Sequence, residues 1–423
     1  MRRAMLFTVG SGEGIENAIA FSADSFNADR IYLLCTTGER GSVHRIGDIR
    51  GALAARGLGA DLIREPHFEV RDLGDFERTY EDCLEALTAI ADDGFATNQI
   101  AIDYTTGTKV MSAALVVAAI DFGISHYIYI DGNYRAGEGM RVVTGGEQAR
   151  ATGARRVRGQ RDLHLAAGHF NTHQWHAARE VVEAILRDCA GGPVCDHATA
   201  LRDLARAYSH WDQFEHDEAR KILLQMDADQ ARNIGVDIEP HRQFLFRFEP
   251  KAKVDPPKLL WARLADLLNN AERRLAQGRN DDAIQRAYRA TELLAQIAFA
   301  ELDPPIDASG PIPLDQLPEE VQATWACRAD AKGQLRLGLT DLYALLLDLD
   351  HPLGEWFADD EQQPLRWALT ARNQTILAHG FRTARTEDVR TILDCVGAKA
   401  AAIKKRVAQW REQATFGRVD IGP

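Results

Sequence analysis

The stretch QIAIDYTTGTKVMSAALVVAAID, residues 99–121, decides how the first third of the chain is read. Gln99–Asp103 has the length and apolar content of a buried strand. Lys109–Asp121 is apolar but too long for one, so it reads as a helix. The turn Tyr104-Thr105-Thr106-Gly107-Thr108 joins them. The same unit repeats on both sides. Ala4–Val9 predicts a strand, Gly10-Ser11-Gly12-Glu13-Gly14 a turn and Ile15–Phe21 a helix. Arg30–Cys35 and His67–Val70 add strands, Val43–Arg56 and Asp75–Ala91 add helices, and His126–Asp131 closes the series. Strands separated by single helices predict an α/β, Rossmann-like N-terminal domain, a mostly parallel sheet covered on both faces, over residues 1–150.

Beyond the basic connector Arg155, Arg156, Arg158 and Arg161 the strand signals fade. Asp162–Leu186 and Ala198–Met226 have helical spacing with interleaved Phe170, Trp175, Tyr208, Trp211 and Phe214, which predicts helix hairpins of a middle domain over residues 155–250. Pro250–Lys258 reads as a proline-rich linker. Leu259–Ala276, Asp281–Glu301, Leu335–Leu349, Leu365–Gly380 and Thr386–Gln413 then predict an all-α bundle over residues 257–415, interrupted at Asp303–Pro318.

Composition narrows the function classes. A chain of 423 residues is too long for one ordinary domain. Its formal charge of −12 argues against a protein that coats nucleic acid non-specifically, and leaves room for a local basic cleft. Six scattered cysteines without a C-x-x-C pair fit a reducing cytoplasm, most of them buried as small apolar residues. The N-terminus passes straight into a strand and lacks the apolar stretch of a signal peptide. The longest apolar run, Ala113 to Ile120, falls far short of the roughly 20 residues that span a bilayer. The expectation is a cytoplasmic protein without a membrane segment.

Two turns at strand C-termini carry the first chemical signal. In open parallel sheets ligands sit outside the strand C-termini, where glycines admit phosphate to backbone amides and helix N-termini favour its charge. Gly10, Ser11, Gly12 and Glu13 occupy one such turn; Thr105, Thr106, Gly107, Thr108 and Lys109 occupy the other. Ile15 stands where a dinucleotide fingerprint needs its third glycine, and the second strand ends in Cys35-Thr36-Thr37 rather than an acidic residue, so NAD is excluded. The stretch AIDYTTGTKVMSAAL with the VGSGEG start resembles the CARF domain of CRISPR-associated accessory proteins. That resemblance implies a dimer binding cyclic oligoadenylate through those nine residues, with Met111 and Ser112 beneath the pocket. Thr106 departs from the pattern, since many relatives carry a second glycine there.

The second signal is Arg372-Asn373-Gln374-Thr375-Ile376-Leu377-Ala378-His379. On a continuous helix a seven-residue spacing places Arg372 and His379 on one face. A histidine near neutral pKa moves the proton of a ribose 2′-hydroxyl or of a leaving 5′-oxygen, and arginine stabilises the phosphorane. Asn373 is placed to orient the phosphate or the arginine. The pattern resembles the R-x(4–6)-H motif of HEPN ribonucleases, and DDAIQRAYRATELLAQ (Asp281–Gln296) resembles a helix of one CARF–HEPN subfamily. The resemblance implies metal-independent cleavage of single-stranded RNA to 2′,3′-cyclic phosphate ends in type III CRISPR antiviral defence. A homodimer would pool two such pairs in one cleft.

Other signals read as structural. Tyr288, Arg289 and Glu292 share a helix face, either as support for the site or as a surface Arg289–Glu292 pair. His169, His173 and His176 fall at zinc-compatible spacing on one expected helix, but no clear fourth ligand completes a site, so no metal or cofactor is assigned. Two alternatives stay open: a non-catalytic sensor or interaction protein, and a CARF-domain ring nuclease that degrades its own ligand.

Overall fold

The protein is described here by a computed structural model covering residues 2–132, 135–136, 141–142, 147–249 and 256–422. Residues 250–255 of the expected linker lie outside the described residues. Packing separates the chain into two units, Met1–Asp162 and Leu163–Pro423.

The first unit alternates β1 (Ala4–Thr8), α1 (Ile15–Phe26), β2 (Arg30–Thr36), α2 (Ile46–Ala55), β3 (Phe68–Val70), α3 (Phe76–Asp92), β4 (Ile100–Asp103), α4 (Lys109–Phe122) and β5 (His126–Gly132). Strand β6 (Glu147–Thr152) then pairs antiparallel with β5. The sheet order is β3-β2-β1-β4-β5-β6, with every pairing before β6 parallel. The pleat of β1 explains its wholly apolar composition. Ala4 and Leu6 pack with Leu87 of α3 and Leu115 of α4 on one face, while Met5 and Phe7 pack with Ile19 of α1 and Ile49 of α2 on the other. β1 lies between β2 and β4, so the chain changes direction across the sheet there and the turns after β1 and β4 are neighbours. That is where an open parallel sheet forms its crevice.

The second unit is helical. It runs α5 (Arg155–Asn171, begun in the first unit), α6 (Trp175–Asp188), α7 (Pro193–Asp212), α8 (His216–Gln225), α9 (Ala228–Asn233), α10 (Glu239–Leu245), α11 (Pro256–Ala276) and α12 (Asn280–Ala300). There follow α13 (Glu319–Trp325), α14 (Leu339–Asp348), α15 (Pro352–Ala358), α16 (Gln363–Arg372), α17 (Thr386–Ile403) and α18 (Arg406–Gln413). One hydrophobic core runs from Leu163 to Ile421. A buried ionic cluster ties α7 to α11. Asp212 Oδ1 accepts from Arg273 Nε (2.9 Å) and Asn270 Nδ2 (2.8 Å), and Oδ2 accepts from Arg274.

Three expectations from sequence are corrected here. The helix expected over Leu365–Gly380 ends at Arg372. His173 lies in the turn between α5 and α6 with φ 61°, so His169, His173 and His176 do not share a helix, and no metal-holding group occurs among the described residues. Cysteine placement also differs: only Cys35 and Cys83 are buried free thiols, and Cys189 pairs with Cys195 in a disulfide. Gly191 and Gly192, both at positive φ, fold the α6–α7 turn back and bring those two Cα atoms within 5.9 Å. No described helix is long and apolar enough to cross a membrane.

The C-terminal tail beyond α18 is a structural element in its own right. Phe416 stacks on Tyr208 at 4.1 Å between ring centroids, and the Arg273 guanidinium lies 3.9 Å from its ring centre. Val419 exchanges two backbone hydrogen bonds with the Asn171 side chain, each 2.8 Å. Phe416→Ala is expected to cost about 3–5 kcal/mol, the usual penalty for emptying an aromatic site in a packed core. Urea unfolding measures it; a loss below ~1 kcal/mol would mean the tail is not part of the core.

Candidate functional site

At the sheet crevice, the structure brings the two expected turns together. Thr106 Oγ1 donates to the Thr8 carbonyl at the end of β1 (2.6 Å). Gly10 approaches so closely that a Cβ there would lie 2.2 Å from the Thr106 carbonyl oxygen. A Cβ on Gly107 would lie 2.4 Å from Thr8 Oγ1. Both glycines are therefore demanded by contact between the turns. The threonines are spent inside the protein. Thr105 Oγ1 accepts from the Ile130 amide (2.9 Å), and Thr108 caps α4 by accepting from the Met111 amide (3.3 Å). Ser112 Oγ donates to the Tyr104 carbonyl (2.7 Å), fixing the other end of the turn.

The outward-facing groups are then Ser11, Gly12, Glu13, Thr108 and Lys109, all exposed, while Gly10 is buried and Thr105, Thr106 and Gly107 are half-buried. Among the described residues the amides of Gly107, Thr108 and Lys109 have no internal acceptor, as the first turn of a helix leaves them. Beneath the turn, Asp103 is buried, bonded to Ser22 Oγ and the Thr105 amide, and burial raises its carboxyl above the ordinary range. The crevice presents amides, a helix N-terminus and a lysine: a donor set for phosphate.

The second constellation is assembled by a turn. After α16, Thr375 is buried, and its hydroxyl donates to the Arg372 carbonyl (2.8 Å), capping the helix end. The chain then closes on itself. The His379 amide donates to the Asn373 carbonyl (3.2 Å), the Gly380 amide to Thr375 (3.2 Å) and the Arg382 amide to Gln374 (2.9 Å). A Cβ at Gly380 would lie 2.1 Å from the Gln374 carbonyl oxygen, so only glycine fits. His379 thus returns to Asn373, the neighbour of Arg372, without a shared helical face.

Arg372 is held from below by α12. Its Nε donates to Gln285 Oε1 (2.8 Å), its guanidinium sits 4.2 Å from the centre of the Tyr288 ring, and Nη1 donates to Asn373 Oδ1 (3.2 Å). The Nη2 amino group remains for a ligand. Gln285 also donates to Thr375 Oγ1 (3.3 Å), so one side chain orients both the arginine and the turn. Gln285 is the supporting residue that sequence reading missed. Its signal was a face shared with Tyr288 and Glu292 at three- and seven-residue steps. Arg289 does pair with Glu292 (3.8 Å) and also donates to Gln296 (2.9 Å). Burial raises both the Tyr288 phenol and the Glu292 carboxyl above their usual ranges.

The imidazole of His379 is exposed, and apolar side chains surround it in sequence. Phe381 is 95% exposed, Trp367 65%, Ile376 62% and Leu377 53%. Potential acid–base and phosphate-binding groups therefore lie on a stretch of chain that leaves several large apolar side chains exposed.

Comparison with known proteins places two family models on the helical unit and one shared fold over the whole chain. A family model described as the Csm6 HEPN domain matches residues 256–401, which contain α12, α16 and the turn. One described as the Csm6 6H domain matches residues 159–241. The CRISPR system endoribonuclease Csm6 of Thermus thermophilus is 29% identical over 354 residues, covering 77% of this chain and 70% of its own. The structure of Enterococcus italicus Csm6 bound to cyclic hexa-2′-fluoro-hexa-dAMP shares the fold, with a TM-score of 0.59 over 98% of each chain at 11% identity. Residues 159–241 and 256–401 thus match the Csm6 6H and Csm6 HEPN domains, and the chain as a whole is similar to the CRISPR-associated Csm6 endoribonucleases.

Proposed function

We propose that this protein is a cyclic-oligoadenylate-activated, metal-independent endoribonuclease that cleaves single-stranded RNA in the cytoplasm as part of type III CRISPR antiviral defence. One observation carries the reading: the turn after α16 returns the exposed His379 to Asn373, the neighbour of the half-buried Arg372, along a stretch of chain with exposed apolar side chains. Apolar surface of that kind marks an interface. A two-fold axis through it forms an isologous homodimer in which two imidazoles and two guanidiniums face one groove. One His379 takes the proton of the ribose 2′-hydroxyl, whose oxygen attacks the adjacent phosphorus. The other protonates the 5′-oxygen as the P–O bond breaks, leaving a 2′,3′-cyclic phosphate and a 5′-hydroxyl. The Nη2 group of Arg372 bonds the non-bridging oxygens, and Asn373 holds the guanidinium in register.

Residues 1–150 sense the ring, 155–250 connect and 257–415 cleave in this proposal. Gly10, Ser11, Gly12, Glu13, Thr105, Thr106, Gly107, Thr108 and Lys109 form the pocket. The open amides and Lys109 bind phosphates, while the threonines and buried glycines shape the turns that present them. The named ligand of the Enterococcus italicus relative, a cyclic hexanucleotide analogue, supports this choice. The ring acts by binding the active arrangement better than the resting one, and a few kcal/mol of difference gives roughly hundred-fold activation.

The test is cleavage of labelled RNA in EDTA with and without cyclic tetra- or hexa-adenylate. Ring-dependent cleavage that survives chelation is expected; none with any ring would favour a non-catalytic sensor, and linear products from the ring alone would identify a ring nuclease. His379→Ala should abolish cleavage while ring binding and dimerisation persist, and full activity in that variant would refute the assignment. Tyr288→Leu should lower kcat by about 2- to 30-fold, the rate equivalent of roughly 0.5–2 kcal/mol of cation–π attraction. Lys109→Ala should raise the ring concentration needed for activation and leave basal cleavage unchanged. Phe381→Asp should shift the protein toward monomer in sedimentation and lose cleavage with it.

A further inference from the structure

A cleft of about 930 Å³ opens beside the α5–α6 turn, far along the sequence from either constellation. Its volume lies within the roughly 300–1,000 Å³ of small-molecule sites. The walls come from that turn, the C-terminal ends of α7 and α11, and the C-terminal tail. Arg274, Arg279 and Arg418 line it, and Asp212 is its only acidic lining residue among those described.

Charge around this cleft runs against that of the chain. Among the described residues, Arg273, Arg274, Arg279, Arg286 and Arg418, at or next to the cleft, pair only with Asp212, Asp266 and Asp282, on a protein of formal charge −12. Asp212 is consumed by Arg273, Arg274 and Asn270, and Asp282 by Arg279 and Arg286. Arg418 is exposed and has no partner among the described residues. Burial and the charges of Arg273, Arg274 and Arg418 together lower the pKa of His173, which marks the same positive field from a neighbouring group.

A bound anion would neutralise this excess charge. Planar guanidiniums suit phosphate in particular.

We infer that this cleft binds a small phosphate-bearing ligand of mononucleotide size, with Arg418, Arg274 and Arg279 facing the phosphate. This cleft shares no lining residue with the residues assigned to the ring pocket or the RNA-cleaving turn and does not depend on either assignment.

Calorimetric titration of the full-length protein with 5′-AMP, inorganic phosphate and adenosine tests it. Saturable binding of AMP is expected, with none for adenosine. Phosphate binding as tightly as AMP would make free phosphate the ligand, and weaker binding would make it a nucleotide. Arg418→Gln should weaken AMP by about tenfold, as loss of a charge-assisted contact does. Ring binding and RNA cleavage should remain at wild-type levels in that variant. Arg279→Gln, at another lining arginine, should weaken AMP several-fold. No binding of either phosphate probe, equal binding of adenosine, or AMP binding indifferent to both substitutions would overturn the inference.

Discussion

The structure of the C-terminal site depends on one constraint: α16 must stop at Arg372. Were the helix to continue, His379 would project two turns away along the axis instead of returning to Asn373. Stopping there lets the chain close through the His379 amide and pass Gly380 over Gln374 where no side chain fits. Gln285 enforces the stop from α12 by bonding the arginine and the turn threonine together. Arg372, Asn373 and His379 are thus placed by backbone closure and a neighbouring helix. Such support suits chemistry that depends on sub-ångström positioning.

The first unit follows the same logic with different parts. β1 and β4 are buried strands whose ends bring two turns into contact, and the glycines sit where that contact leaves no room for a Cβ. Hydroxyls that look like ligand donors in a bare sequence are turned inward to stiffen the loops. What faces out is the backbone itself, with Lys109 beside it. A rigid lip of amides binds anions at low entropic cost.

Much of this was legible in the sequence because burial writes itself as apolar pattern. The five parallel strands and their helices were readable as continuous apolar runs and long periodic ones. The edge strand Glu147–Thr152 was not, because EQARAT is polar and largely exposed, so nothing marks it except pairing with β5. The end of α16 was hidden for the opposite reason. Ile376 and Leu377 continue the helical apolar spacing beyond Arg372, yet they face outward on the turn. A hydrophobic pattern cannot tell a core from an apolar surface left exposed. His173 misled similarly, since a left-handed histidine breaks the helix where no glycine announces a turn. The site pair itself was legible by residue type and spacing, while its support, Gln285, was visible only as an unremarked polar position on a helix face.

The central claim is that cleavage needs an imidazole from each of two protomers. A mixed dimer of one unaltered chain and one His379→Ala chain, purified through two different tags, measures this directly by its ring-stimulated rate of RNA cleavage. The account expects a rate close to that of the doubly substituted dimer, because acid and base come from opposite subunits. Retention of about half the unaltered rate would show that each protomer cuts alone, and would contradict it.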